Sequence, residues 1–248
     1  MSSPKFAVIG FGVTAAIAAS ASANVTATYN GTGYGKFQSV SYNASTQWNQ
    51  AGSGPFYSSR AFDHRWTDTS NNSAFIGWCI QLYQGLNVGS TYSFTCVALE
   101  NAPTAPPAPG PMGVVPANIM RDAFSRWIDV STGTIVPEGT LAASNAKAAA
   151  FAVLLWEISH ENFGVGADEN TTKSQMSVST GALRANLAAD VAAWYTTIHG
   201  SLGVGGWYNS DLQGLVNSAS QDQVRVVPSP GVLALLGLAG LVGSRRRR

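Results

Sequence analysis

The hydrophobic period of this chain changes from strand-like to helical across a proline-rich stretch. Residues 100–116 read ENAPTAPPAPGPMGVVP and hold six of the eleven prolines. Proline fixes φ and lacks an N–H, so neither a helix interior nor a central strand runs through such a segment. A linker or long surface loop is expected over 101–116. Before it, apolar residues alternate. VTATYN and KFQSVSYN read as strands around a glycine-rich turn at Gly31–Gly35. Residues 43–72 read as loops with one or two short strands. AFIGWCIQLYQ and TYSFTCVAL are rich in aromatic and β-branched residues and read as strands around the turn-like GLNVGS.

After the prolines the period becomes helical. PANIMRDAFSRWIDV places Met120, Phe124, Trp127 and Ile128 on one face. NAKAAAFAVLLWEISHE does so with Phe151, Leu154, Leu155 and Ile158, with Ser144 or Asn145 as N-cap. TGALRANLAADVAAWYTTIHG aligns Leu183, Leu187, Val191, Trp194 and Ile198, with Gly200 beyond its end. QVRVV alternates again and reads as a closing strand that pairs with the early ones. The expected fold is α+β: an antiparallel β scaffold with an inserted or packed segment of three helices, in one domain over 24–227.

Both ends carry export features. Residues 1–23 begin with Lys5, continue apolar from Phe6 to Ala18, and end in the small-x-small site Ala21-Ser22-Ala23. That is a signal-peptide layout with an N-terminal signal helix, and it implies cleavage by signal peptidase after Ala23. Residues 228–248 read PSPGVLALLGLAGLVGSRRRR. The apolar run 231–244 would span roughly 21 Å as a helix, against a bilayer core of about 30 Å. Arg245, Arg246, Arg247 and Arg248 would hold that end on the cytoplasmic side, and Pro228-Ser229-Pro230 forces extended chain just before the run.

Pro pair, hydrophobic sorting helix and Arg cluster together resemble the PEP-CTERM tail of exported bacterial proteins, with Ser229 where that motif carries Glu. The resemblance implies an exosortase-type processing enzyme as a partner, transient anchoring in the inner membrane of a Gram-negative-type bacterium, and then the cell surface or extracellular matrix, with extracellular polysaccharide as a further partner.

Charge agrees with no nucleic-acid role. Lys5 and the four terminal arginines take five of the 14 basic residues, leaving 9 against 13 acidic ones, a net −4 over the remainder. No basic stripe remains. The cysteines are Cys79 and Cys96. A hairpin centred on GLNVGS would oppose Tyr83 to Tyr92 and Cys79 to Cys96, which makes a cross-strand disulfide geometrically available.

FIGWCIQL on a strand and AAAFAVLLWEIS on a helix resemble the thioester domain of bacterial surface proteins. That family joins a strand Cys to the Gln of a helical Gln-x-Ala-apolar-Trp motif. The same Cys strand and Trp-Glu-Ile helix recur in PEP-CTERM proteins, often with a Gln-Asp-Gln and a strand before the Pro motif, and this chain resembles them in Trp78-Cys79, Trp156-Glu157-Ile158 and Gln221-Asp222-Gln223, over roughly residues 70–230. Four residues before Trp156 the Gln position is Ala152, so the resemblance implies a thioester-like body without its acyl partner.

Other constellations are weaker. Glu157-x-x-His160-Glu161 has the spacing of carboxylate-bridged metal sites but occurs once. GADEN at 166–170 groups oxygens suited to Ca²⁺ without EF-hand spacing. Asp63-His64 and Ser59 lack a nucleophile elbow, and His199 suits a helix C-terminus. No metal site and no cofactor is expected. Trp127, Trp156 and Trp194 fall on helical stripes and read as core. Trp48, Trp66 and Trp207 fall in loop-like stretches and are candidates for stacking on glycans. The expected role is structural or adhesive and non-catalytic. The alternatives are a secreted glycan-active enzyme, which requires paired carboxylates in a cleft, and a covalent thioester adhesin.

Overall fold

A computed structural model describes residues 24–42, 55–104, 110–161, 163, 166–203 and 211–227. The signal segment, the sorting tail from Pro228 to Arg248, Trp48 and Trp207 lie outside the described residues. Seven strands form one antiparallel sheet: β1 (Asn24–Tyr42), β2 (Tyr57–Asp68), β3 (Ala74–Cys79), β4 (Thr91–Ala98), β5 (Leu183–Asn186), β6 (Leu212–Val216) and β7 (Gln223–Val226). The helices are α1 (Val114–Trp127), α2 (Leu141–His160), α3 (Glu169–Gln175) and α4 (Ala189–Ser201). The α+β class is therefore observed, with four α-helices among the described residues rather than three.

The strand order is β2-β3-β7-β6-β4-β1-β5, and β1 also pairs with β2. That extra pairing closes six strands on themselves, and β5 lies outside the ring along the far half of β1. Closure rests on one long strand. Ala27 is opposite both Asp68 of β2 and Tyr92 of β4, while Ser39–Tyr42 pair with β5. The sequence reading broke β1 at Gly31–Gly35, but the chain passes through as one 19-residue strand. The glycines instead absorb two register shifts, between Tyr29 and Gly31 and between Thr32 and Gly35. Gly35 has φ +150°, and a Cβ there would stand 2.2 Å from the Ala61 carbonyl oxygen. β2 is likewise one 12-residue strand where loops with one or two short strands were expected.

Paired residues share a face, so the barrel's two faces can be followed around the ring. Val25, Ala27, Tyr29, Trp66, Phe94, Cys96 and Leu215 pack together inside it, as small barrels fill their interiors with side chains. Val40, Ala61, Trp78 and Val224 point outward and join the core built on α2. That helix is apolar nearly all round, and from Ala146 to His160 every residue is buried. Such a helix must be covered on all sides, and β1, β2 and β3 cover one side while α4 and α1 cover the other. It is also long and apolar enough to cross a membrane, yet it is mostly buried inside the fold.

Its N-cap is Thr140, whose side chain accepts from the Ala143 N–H at 3.2 Å, not Ser144 or Asn145. Ser144 Oγ instead accepts from the Glu138 N–H at 2.9 Å, and Asn145 Oδ1 takes the Gly35 N–H at 3.3 Å. The third expected helix starts late because Leu183–Asn186 are consumed as β5, so α4 begins at Ala189. Pro116 sits in the first turn of α1, where a missing N–H costs nothing.

Candidate functional site

The centre marked by the sequence is where the end of β3 meets the C-terminal half of α2. Adjacent strand residues point oppositely. Trp78 faces α2: its indole N–H donates to the Gly133 carbonyl at 3.0 Å and its ring meets Phe151 at 4.9 Å. Cys79 faces the barrel interior, opposite Gln223 of β7. Its thiol donates to the Gln81 carbonyl at 2.8 Å, and the Gln81 N–H donates back to sulfur at 3.4 Å. Burial pushes the Cys79 pKa up to about 12, against smaller opposing effects of the Gln81 N–H and the Trp156 indole beside the sulfur. The Trp156 nitrogen makes no well-formed hydrogen bond. The structure thus brings Cys79 and Trp156 together. Ala152, one turn before Trp156 on the same helix face, offers only a methyl group.

The two cysteines do not meet. Both are free and buried. The hairpin that would oppose Tyr83 to Tyr92 does not form, because β7 and β6 lie between β3 and β4. Cys79 and Cys96 therefore sit on opposite sides of the six-strand ring, three strands apart whichever way it is followed, and neither thiol is bonded. Cys96 lies opposite Leu215, and burial raises its pKa against the opposing charge of Arg225.

Gln223 is the residue whose role the sequence left open. Its Oε1 accepts from His64 Nδ1 at 2.9 Å inside the barrel. His64 also meets the Tyr29 ring edge-on at 5.4 Å, and burial lowers its pKa to about 4. Asp222, next in the chain, is built into the turn from β6 to β7. Its carboxylate accepts from the Asn217 N–H at 2.8 Å and its carbonyl from the Ile80 N–H at 3.0 Å. Burial raises its pKa to about 6. The Gln-Asp-Gln segment thus threads β7 between β3 and β6.

Asp63 and His64 leave β2 on opposite faces and form no dyad. Asp63 Oδ2 accepts from the Tyr34 N–H at 3.1 Å, and a Cβ on Gly33 would stand 1.9 Å from Oδ1, so this carboxylate clamps the bulge of β1. Trp66 belongs to β2 and is fully buried, 5.0 Å from Tyr29 and 5.3 Å from Phe94 between ring centroids. It is core and presents no face to a sugar.

The Glu157-x-x-His160-Glu161 group is dispersed into structural tasks. His160 Nε2 accepts from the Leu82 N–H at 3.0 Å, and Nδ1 lies 3.1 Å from the Trp156 carbonyl, which fixes the neutral tautomer with the proton on Nδ1. Burial lowers the His160 pKa to about 4. Glu161 accepts from the Ala182 N–H at 2.9 Å and docks the segment before β5. Glu157 is fully buried; desolvation first, then the Glu161 charge, raises its pKa well above the usual carboxylate range. Asp168 of the 166–170 segment caps α3, accepting from the Thr171 N–H at 2.7 Å. His199 Nε2 takes a position 3.1 Å from the Lys173 carbonyl. Among the described residues no group of three or more His, Cys, Asp or Glu is placed to hold a metal. An open groove of about 440 Å³ runs beside β2 and β3, lined by Asn30, Arg65, Ile76, Thr132 and Thr134 among others, with no carboxylate in its lining.

Compared with known proteins, the chain matches no family model, no curated protein and no solved structure at a significant level.

Proposed function

We propose that this is an exported cell-surface or extracellular-matrix protein with a structural or adhesive, non-catalytic role. Signal peptidase releases residues 1–23, and an exosortase-type enzyme recognises Pro228-Ser229-Pro230, the apolar run and the Arg cluster. The observation that carries the reading is the tripartite tail over 228–248 combined with the signal layout at the other end. The body supports it: its chemically promising groups are spent on packing. Cys79 is a buried thiol with a raised pKa, and Glu157 on α2 and Glu161 just past its end lie buried rather than in the open groove.

A second reading rests on one observation, that Gln223 stands directly opposite Cys79. A thioester between them would form one S–C bond and release the Gln223 nitrogen as ammonia. This is the covalent-adhesin alternative by a route other than Ala152.

One experiment tests both: the intact mass, without reductant, of protein recovered from the native cell surface or medium. The expected chain starts at Asn24 and ends near Pro228–Pro230, with no mass deficit. A mass retaining Arg245–Arg248 overturns the sorting reading. A loss of one ammonia, followed on treatment with methylamine by the addition of one methylamine and the release of a free thiol, establishes the thioester.

A further inference from the structure

Beyond the ring, β1 and β2 continue as a ribbon that β5 widens to three strands. Here the face of β2 that carries His64 and Trp66 inside the barrel runs out to solvent. The register places Phe37 opposite Arg60, Ser39 opposite Ser58 and Asn186, and Gly35 opposite Phe62. Phe37 is 58% exposed and Phe56, just before β2, is 40% exposed. Phe37 and Phe62 meet edge to face at 5.6 Å. The Arg60 guanidinium lies over Phe37 at 5.6 Å, and that of Arg184 over Phe56 at 5.2 Å. Arg60 makes no ion pair among the described residues. Asp190 on the neighbouring α4 is already engaged by Lys36.

We propose that this open face, with Phe37, Arg60 and Phe62 at its centre and Arg184 and Phe56 at its far end, binds an acidic polysaccharide. The Arg60 guanidinium rests on a phenyl ring, which pre-orients its planar fork for a carboxylate or sulfate, and Arg184, whose Nη2 also donates to Ser41 Oγ at 3.3 Å, adds positive charge at the far end. The exposed rings offer flat apolar surfaces to the C–H faces of sugars. Ser39, Ser58 and Asn186 supply short polar groups between them. Arg60 and Arg184 stand two strands and four residues apart, about 17 Å on strand spacings, so an extended polymer engages both. Among the described residues the face presents no carboxylate, and charge complementarity selects an anion.

This names a ligand for the surface role proposed above and rests on that reading. The mass measurement tests the sorting reading by itself, so the two can fail separately. The test is affinity electrophoresis of the full chain, in detergent, through gels containing polygalacturonate or neutral dextran. Polygalacturonate is expected to retard the protein and dextran not. The double variant Phe37→Ser/Arg60→Gln, exposed positions both, should weaken retardation at least tenfold with an unchanged melting temperature. Arg65→Gln, on the opposite face of β2, should retain it. Equal retardation of the double variant, an equal loss in Arg65→Gln, equal retardation by dextran, or binding to phosphatidylserine vesicles without binding to polygalacturonate each overturns the proposal.

Discussion

Two buried histidines set the acid limit of this fold. His64 and His160 have folded pKa values of about 4 against an ordinary 6.5. The unfolded chain therefore takes up their protons first as pH falls. The stability tied to their neutral forms is complete above pH 6.5 and lost as pH drops toward 4, at most about 3 kcal/mol per histidine. An NMR titration of the imidazole resonances of folded protein should place both rings well below 6.5, and values near 6.5 would mean that the two rings are solvated. Glu157 acts in the opposite sense. Its pKa is raised by burial and by Glu161, so its contribution is full below about pH 4.5 and falls as pH rises. Glu157→Gln, which keeps the volume without the charge, should match the parent at pH 4.5 and exceed it at pH 8. Neither histidine was assignable from sequence. A lone His in a strand and one near a helix end look alike until burial and the partner groups Gln223 and Leu82 are known.

At the level of elements, α1, α2 and β7 were legible because each carries its period in its own residues. The apolar spacing of 120, 124 and 127 and the alternation of QVRV need no tertiary partner to be seen. The long β1 was not legible, since five residues with three glycines look like a turn when the strands beside them are unknown. The bulge holds because β2 passes close on one side. Gly35→Ala would drive a Cβ against the Ala61 carbonyl at a left-handed φ, and should cost about 3 kcal/mol or more in a denaturant melt. Gly85→Ala meets nothing within 4 Å and has an ordinary φ, so it should change stability by less than about 0.5 kcal/mol. Equal effects from the two would show that the bulge is not packed as described.

The whole molecule is held by a barrel closed late in the chain. β7 and β6, from the last part of the body, slot between β3 and β4 and so keep Cys79 from Cys96. Native protein should leave a thiol reagent unreacted, and denatured protein without reductant should titrate two thiols. A disulfide in that assay would mean that β3 and β4 pair directly and that the ring is not closed as here. The sequence by itself determined the class of elements, the absence of a Gln four residues before Trp156, and the two export-like ends. Those properties reside in local period, composition and residue identity. Only the tertiary structure decided that six strands close, that Trp66 is core, that the cysteines stay apart, and that Phe37 and Arg60 share an open face with Arg184. Each depends on which strand lies beside which, and in an antiparallel sheet that pairing is chosen by burial of residues far apart in the chain.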